Sequence, residues 1–224
     1  MITKCKERHR MQSLPAELSN ILNLAYEAMI AHPQHDLNLG YRRLIYEQLD
    51  PGTDIPPQKE RDGLKRRVNL AILAAEKVLP FWEKVYPGNG LPQRCLQLAR
   101  QVLHGQVDDN EAWKQRDLLW AKLVEMGNED RENQAVQGAG FSAVQVLTAV
   151  LRDERFDPGQ IDLNLTDADI NPDEMDSAFF AAAAYADGAV WDDASDSGKR
   201  REFWEWWLKE AAPMVWGTLQ NMTS

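Results

Sequence analysis

Arg66–Gly105 reads RRVNLAILAAEKVLPFWEKVYPGNGLPQRCLQLARQVLHG, and the spacing of its apolar residues decides the fold class. From Leu64 onward, Val68, Ala71, Ile72, Ala75, Leu79 and Trp82 recur at intervals of three and four. On a helix of 3.6 residues per turn they form one stripe. Arg66, Arg67, Asn69, Glu76 and Lys77 fall between those positions. Pro80 stands inside the pattern, where it removes an N–H donor and crowds the preceding turn, so a kink or a broken turn is expected. Pro87-Gly88-Asn89-Gly90 is a turn signal, Leu91 to Leu103 a second helix, and Gly105 its stop.

The same period extends in both directions. Leu14, Leu18, Ile21, Leu22, Ala25 and Met29 share a face, with Ser13 placed to cap it and His32-Pro33 to end it. A helix is expected over Leu37–Leu49, stopped by Asp50-Pro51-Gly52, and Pro56-Pro57 opens the next. Another starts near Asp108 or Asp109 and carries Trp113, Leu119, Trp120 and Leu123. From Arg131 to Leu151 small residues (Ala135, Gly138, Ala139, Ala143) line the core face, which lets a neighbouring helix come close.

The pattern then changes. Residues 153–176 hold nine acids against the single base Arg155, with Pro158-Gly159 and little periodicity, which marks a connection of functional length. Asn171 is the expected N-cap of the following helix, with Pro172 in its first position and Asp173 and Glu174 complementing its positive end. Phe179, Phe180 and Ala181–Ala184 follow, with Gly188 as a stop. After Asp192, Asp193 and Asp196 comes the last helix, which Pro213 is expected to kink or end. Only Gln160–Leu165 alternates like a strand, and it is short and isolated. The expectation is an all-α, single globular domain of about eight or nine packed helices with a long acidic connection near residues 153–171. Residues 1–12 form a basic lead expected to fray; 13–224 form the domain, with a division into halves 13–127 and 128–224 left open.

A chain of 224 residues buries about 70% of its unfolded surface in one core and needs no staple. Its 25 basic and 35 acidic side chains give a formal charge of −10, which argues against nucleic acid as a partner and is compatible with a soluble protein or with one that meets a basic partner. No run reads as a membrane span and the first residues lack a secretory signature, so the expected location is the cytoplasm. Cys5 and Cys95 are then free thiols.

Few side chains suggest chemistry. His32, His35 and Asp36 resemble the dyad of metal-dependent HD phosphohydrolases, but Pro33 interrupts the approach, and His9 and His104 lack a matching context. Asp162, Asn164 and Thr166 begin like a calcium loop, yet Asp167 replaces the required glycine and Asp173 the bidentate glutamate. There is no phosphate loop and no nucleophile elbow; no catalytic residue, cofactor or metal is expected. Five of the eight tryptophans lie in the last fifth of the chain. Trp204 and Trp207 can share a face with Phe203 or Leu208, which leaves Trp206 on another flank as a candidate contact and the other rings in the core.

Arg67, Glu76, Val78-Leu79-Pro80, Trp82, Pro87, Pro92 and Gly105 also carry a resemblance, supported by Ala181–Ala184, Tyr185 and Trp191. Together they resemble a bacterial immunity-protein family, the one numbered five among the polymorphic-toxin immunity families. The resemblance implies an all-α protein that binds a cognate toxin and blocks it stoichiometrically, without turnover. The toxin could be basic, such as a nuclease. Asp162, Asp167, Asp169, Asp173, Glu174 and Asp176 are then candidates for the toxin-facing surface, together with Trp206. Arg67, Glu76, Leu79, Pro80, Trp82, Gly105, Tyr185 and Trp191 are read as architectural. A non-catalytic helical adaptor that self-associates through its C-terminal helix is the alternative, ahead of an HD-type hydrolase. Oligomeric state is not legible in the sequence.

Overall fold

The apolar periodicity produces helices throughout. The structure, a computed structural model, describes residues 14–50, 62–129 and 134–218, and no strand occurs among them. The helices are α1 (Ala16–Ala31), α2 (Leu39–Gln48), α3 (Asp62–Val85), α4 (Leu91–Leu103), α5 (Asp109–Glu129), α6 (Gln134–Arg152), α7 (Ser177–Tyr185), α8 (Ser197–Trp206) and α9 (Ala212–Thr218). The basic lead, Ser13 and Pro56-Pro57 lie outside the described residues. Helix α4 has the expected limits. Its end is a Schellman motif: Gly105 at φ +66° donates to the Val102 carbonyl, and Gln106 donates to that of Gln101.

Helix α6 is the axle of the fold. It packs against α3, α4, α5 and α7, so most of its surface is enclosed. Gly138, Ala139 and Ala143 are buried as the sequence implies, and a Cβ at Gly138 would lie 2.9 Å from the Phe180 carbonyl oxygen of α7. By length and composition alone α6 could cross a membrane, which corrects the expectation that no run does. A stripe on every side is what a helix surrounded by partners requires.

Several local expectations give way to packing. Arg66 and Arg67 point inward and are 7% exposed, although they sit among residues read as the polar flank of α3. Helix α3 runs on through Pro80, so of the expected kink or broken turn the broken turn does not occur. Pro80 is exposed, as is Glu76, whose carbonyl loses its partner. Pro172 opens only a 3-10 turn, and Asn171 makes no capping hydrogen bond. The N-cap of α7 is Asp176, whose carboxylate accepts from the Phe179 amide at 2.7 Å. Pro213 does not end the last helix. A π turn over Trp207–Ala211 joins α8 to α9 directly before it, where a proline cannot donate to the carbonyl four residues back. Gln160–Leu165 is a turn, closed by Leu165 N–H donating to the Asp162 carbonyl.

Cys95 on α4 is fully buried, and that burial pushes its thiol up to about 12. Its thiolate fraction at neutral pH is then roughly a thousandfold below that of a free cysteine. In a Cys5→Ser variant, a thiol-reactive dye should label the native protein only on the timescale of unfolding and label one thiol at once in denaturant. Fast labelling of the native form would contradict the packing of α4.

Candidate functional site

The acidic connection between α6 and α7 is held by two arginine centres. Arg42 occupies the 3–4 spacing of α2 along with Leu39, Ile45 and Leu49, so its side chain enters the core and is fully buried. Its fork grips Asp167: Nη1 to Oδ2 at 3.0 Å and Nη2 to Oδ1 at 2.5 Å. Nη1 also donates to the Leu37 carbonyl at 2.7 Å, and Nε to Asp176 Oδ2 at 2.9 Å. The Tyr46 hydroxyl donates to that same Asp176 oxygen. Below lies Trp204, whose ring centroid is 5.4 Å from the guanidinium and whose Nε1 donates to Asp36.

Burial alone would lower the Arg42 guanidinium, but Asp167 and Asp176 outweigh it and hold it well above its ordinary value. Burial pushes Asp167 up to about 6 against the pull of Arg42. The Tyr46 hydroxyl is driven up by burial and then by Asp176.

The second centre binds the other end of the connection. Arg67 of α3 pairs with Asp153 and reaches Asp50 at 3.4 Å. Arg155 pairs with Glu47 and Asp50 at 2.9 and 2.8 Å, and Glu47 also accepts from the Phe156 amide. Two charged forks thus tie a loop of irregular backbone to α2 and α3, where a bidentate pair fixes orientation as well as distance.

Between these centres α2 touches the loop directly. Gly40 N–H donates to the Leu165 carbonyl at 3.1 Å, and Asn38 Nδ2 to that of Leu163 at 3.2 Å. A Cβ at Gly40 would stand 2.1 Å from the Asp162 carbonyl oxygen, which is backbone and cannot step aside cheaply. Gly40→Ala should therefore destabilise the fold by about 1–3 kcal/mol in a denaturant titration. It should also speed proteolysis within residues 157–165, and unchanged cleavage would refute the contact.

The structure divides the candidate residues. Asp162, Asp169, Asp173 and Glu174 are exposed along the connection, whereas Asp167 and Asp176 are turned inward onto Arg42. Asp169 is partly spent on its own loop, accepting from the Thr166 amide and hydroxyl. Trp206 is half-buried with Lys77 Nζ 4.8 Å above its ring. The strongly exposed tryptophan is Trp191, at 50%, stacked on Phe179 with centroids 5.5 Å apart, which corrects the expectation that it lies in the core.

Among the residues read as architectural, Arg67 and Trp82 are buried, and Trp82 donates to the Asn89 carbonyl at 2.7 Å. Glu76 lies on the surface with Arg100 at 2.6 Å. Leu79 is half-buried, and Tyr185 is half-buried between Phe81 and Phe203. Arg42, Tyr46, Glu47 and Arg155 were absent from the candidates. For Arg42 the signal was present, because it falls on the apolar stripe of α2.

The His32–Asp36 segment is tied into the fold by hydrogen bonds. His32 Nδ1 accepts from the amides of Gln34 and Asp36, while the Asp36 carboxylate accepts from Trp204. Among the described residues no group of three or more His, Cys, Asp or Glu side chains is placed to hold a metal ion.

The described residues form an all-α scaffold that displays an acidic loop anchored by two arginine centres. Residues 23–214 match the family model described as Immunity protein Imm5, and the chain belongs to that family. The matched span takes in both arginine centres and the whole connection. Comparison with curated proteins returns no match.

Proposed function

We propose that this protein binds a cognate toxin in the cytoplasm of the producing cell and neutralises it stoichiometrically, without turnover. The observation that carries this reading is the family match across residues 23–214. The exposed acids Asp162, Asp169, Asp173 and Glu174 support a basic partner, since complementary charge speeds encounter and rejects wrong partners. The two arginine centres keep that loop in one arrangement, which lowers the ordering cost of binding. The self-associating alternative loses its sticky helix, because Phe203, Trp204, Trp207 and Leu208 are all buried within the protein's own core.

The test is survival of cells expressing the product of the adjacent gene, with and without this protein. Rescue together with a co-purifying one-to-one complex supports the reading; toxicity without rescue overturns it. Reversing Asp162, Asp173 and Glu174 to lysine should slow association by roughly tenfold at low salt, a gap that closes as salt rises. Equal rates across salt would remove the acidic loop from the interface.

A further inference from the structure

Trp191 keeps 50% of its surface in solvent although one face of its indole is already covered. Phe179 of α7 lies beneath that face, 25° from parallel, with ring centroids 5.5 Å apart. Phe179 is itself buried and leans on Phe180, so the platform is fixed. The exposure therefore falls on the opposite face and the edges of the indole. The other tryptophans that reach the surface do not stand open in this way. Trp113, Trp120 and Trp206 are half-buried, and each carries a cation of this chain. Arg152, Arg116 and Lys77 lie 5.9, 4.6 and 4.8 Å from their respective ring centroids. Trp191, the most exposed of the set, has none among the described residues.

Its surroundings favour a cation. Residues 187–196 hold four acids and no base. Asp192 and Asp196 are used within the fold, accepting from the Ala189 and Lys199 amides. Asp187 and Asp193 are exposed and make no ion pair among the described residues. Of the bases that follow, Arg200 is buried on the Gly188 carbonyl and Arg201 pairs with Glu205, which leaves Lys199 at the surface of α8. On the other side, Phe179 stands in the first turn of α7, shortly after the exposed Asp173 and Glu174. Water solvates these carboxylates but does nothing for the open indole face. An apolar group would cover the ring and desolvate the acids, and a carboxylate would meet like charge. A cation is drawn by the ring quadrupole and by the carboxylates together. The planar guanidinium can lie flat on an indole and still present N–H groups at its rim, which an ammonium cannot.

We propose that Trp191 anchors the toxin interface by receiving an arginine side chain of the toxin on the indole face opposite Phe179. The toxin as source rests on the proposed function; the preference of the ring for a guanidinium does not. The first test uses the protein alone, labelled with nitrogen-15 at its indoles. It is titrated with ethylguanidinium, ethylammonium and propionate at constant ionic strength. The Trp191 indole signal, assigned by its loss in Trp191→Phe, should shift saturably with ethylguanidinium, which binds about threefold more tightly than ethylammonium. No saturable shift, or tighter binding of either other ion, overturns the proposal. A second test measures toxin affinity. Trp191→Leu keeps apolar bulk but removes the quadrupole, and should weaken the complex by about tenfold; Trp191→Phe should lose about threefold. Wild-type affinity in Trp191→Leu overturns the toxin as the source of the cation. If no toxin is neutralised at all, the proposed function fails, and the ethylguanidinium titration still decides the ring.

Discussion

Arg42→Met is expected to destabilise the fold by about 3–5 kcal/mol near neutral pH, because it leaves the Asp167 carboxylate buried without its counter-charge. The loss should depend on pH in a defined direction. Burial already lifts Asp167 to about 6, and the guanidinium is what opposes a further rise. The unfolded chain releases this proton near its ordinary value of about 3.9. Between those two values the folded protein holds a proton that the unfolded chain has lost. Stability from this group is therefore present at low pH and declines as pH rises through the folded value. Removing Arg42 carries the folded value higher and extends the decline upward. The deficit against wild type should be smallest at about pH 4–5 and largest at about pH 7 and above. Denaturant titrations across that range measure it. A deficit independent of pH would mean that Asp167 is not the group responsible. Adding Asp167→Leu should recover much of the loss, since an apolar replacement of both partners removes the stranded charge.

Trp82→Ala should cost about 3–5 kcal/mol, the range for emptying a buried aromatic site. Trp82 is 1% exposed and packs on Tyr86 with centroids 4.9 Å apart. It also closes against α6 at Gly140, where an added Cβ would lie 3.0 Å from its Cζ3. Trp82→Phe should lose less, because it keeps most of the ring volume and gives up the hydrogen bond to Asn89, a contribution of about 1 kcal/mol. The informative comparison is between stability and binding. If the folded fraction of Trp82→Ala holds toxin as tightly as wild type, Trp82 is architecture; weaker binding at equal folded fraction would make it part of the interface.

Arg66–Gly105 is legible in the sequence because its signals are local. Gly90 precedes a proline in the first turn of α4, and Gly105 supplies the left-handed residue at its end, so both limits lie within the segment itself. The pairings of the arginine centres were not legible, for the opposite reason. Arg42 meets Asp167 across 125 residues, and Arg67 meets Asp153 across 86. Nothing within one turn of Asp167 distinguishes it from Asp169, yet one is buried and the other exposed. An acid-rich loop shows its composition in one dimension and its division into anchors and surface only in three. Trp191 failed similarly: a large ring is mostly core by rule, and the exposure of this one is set by where α7 places Phe179 beneath it.

The enclosure of α6 also bears on how the chain is made. Its length and apolar composition would favour clumping if the helix emerged alone. Three of its partners, α3, α4 and α5, precede it in the chain and leave the ribosome first. Only the side covered by α7 must wait, until the acidic connection has been synthesised. The segment synthesised in that interval is the charged one, residues 153–176, so the last face of α6 waits beside acids rather than beside further apolar chain.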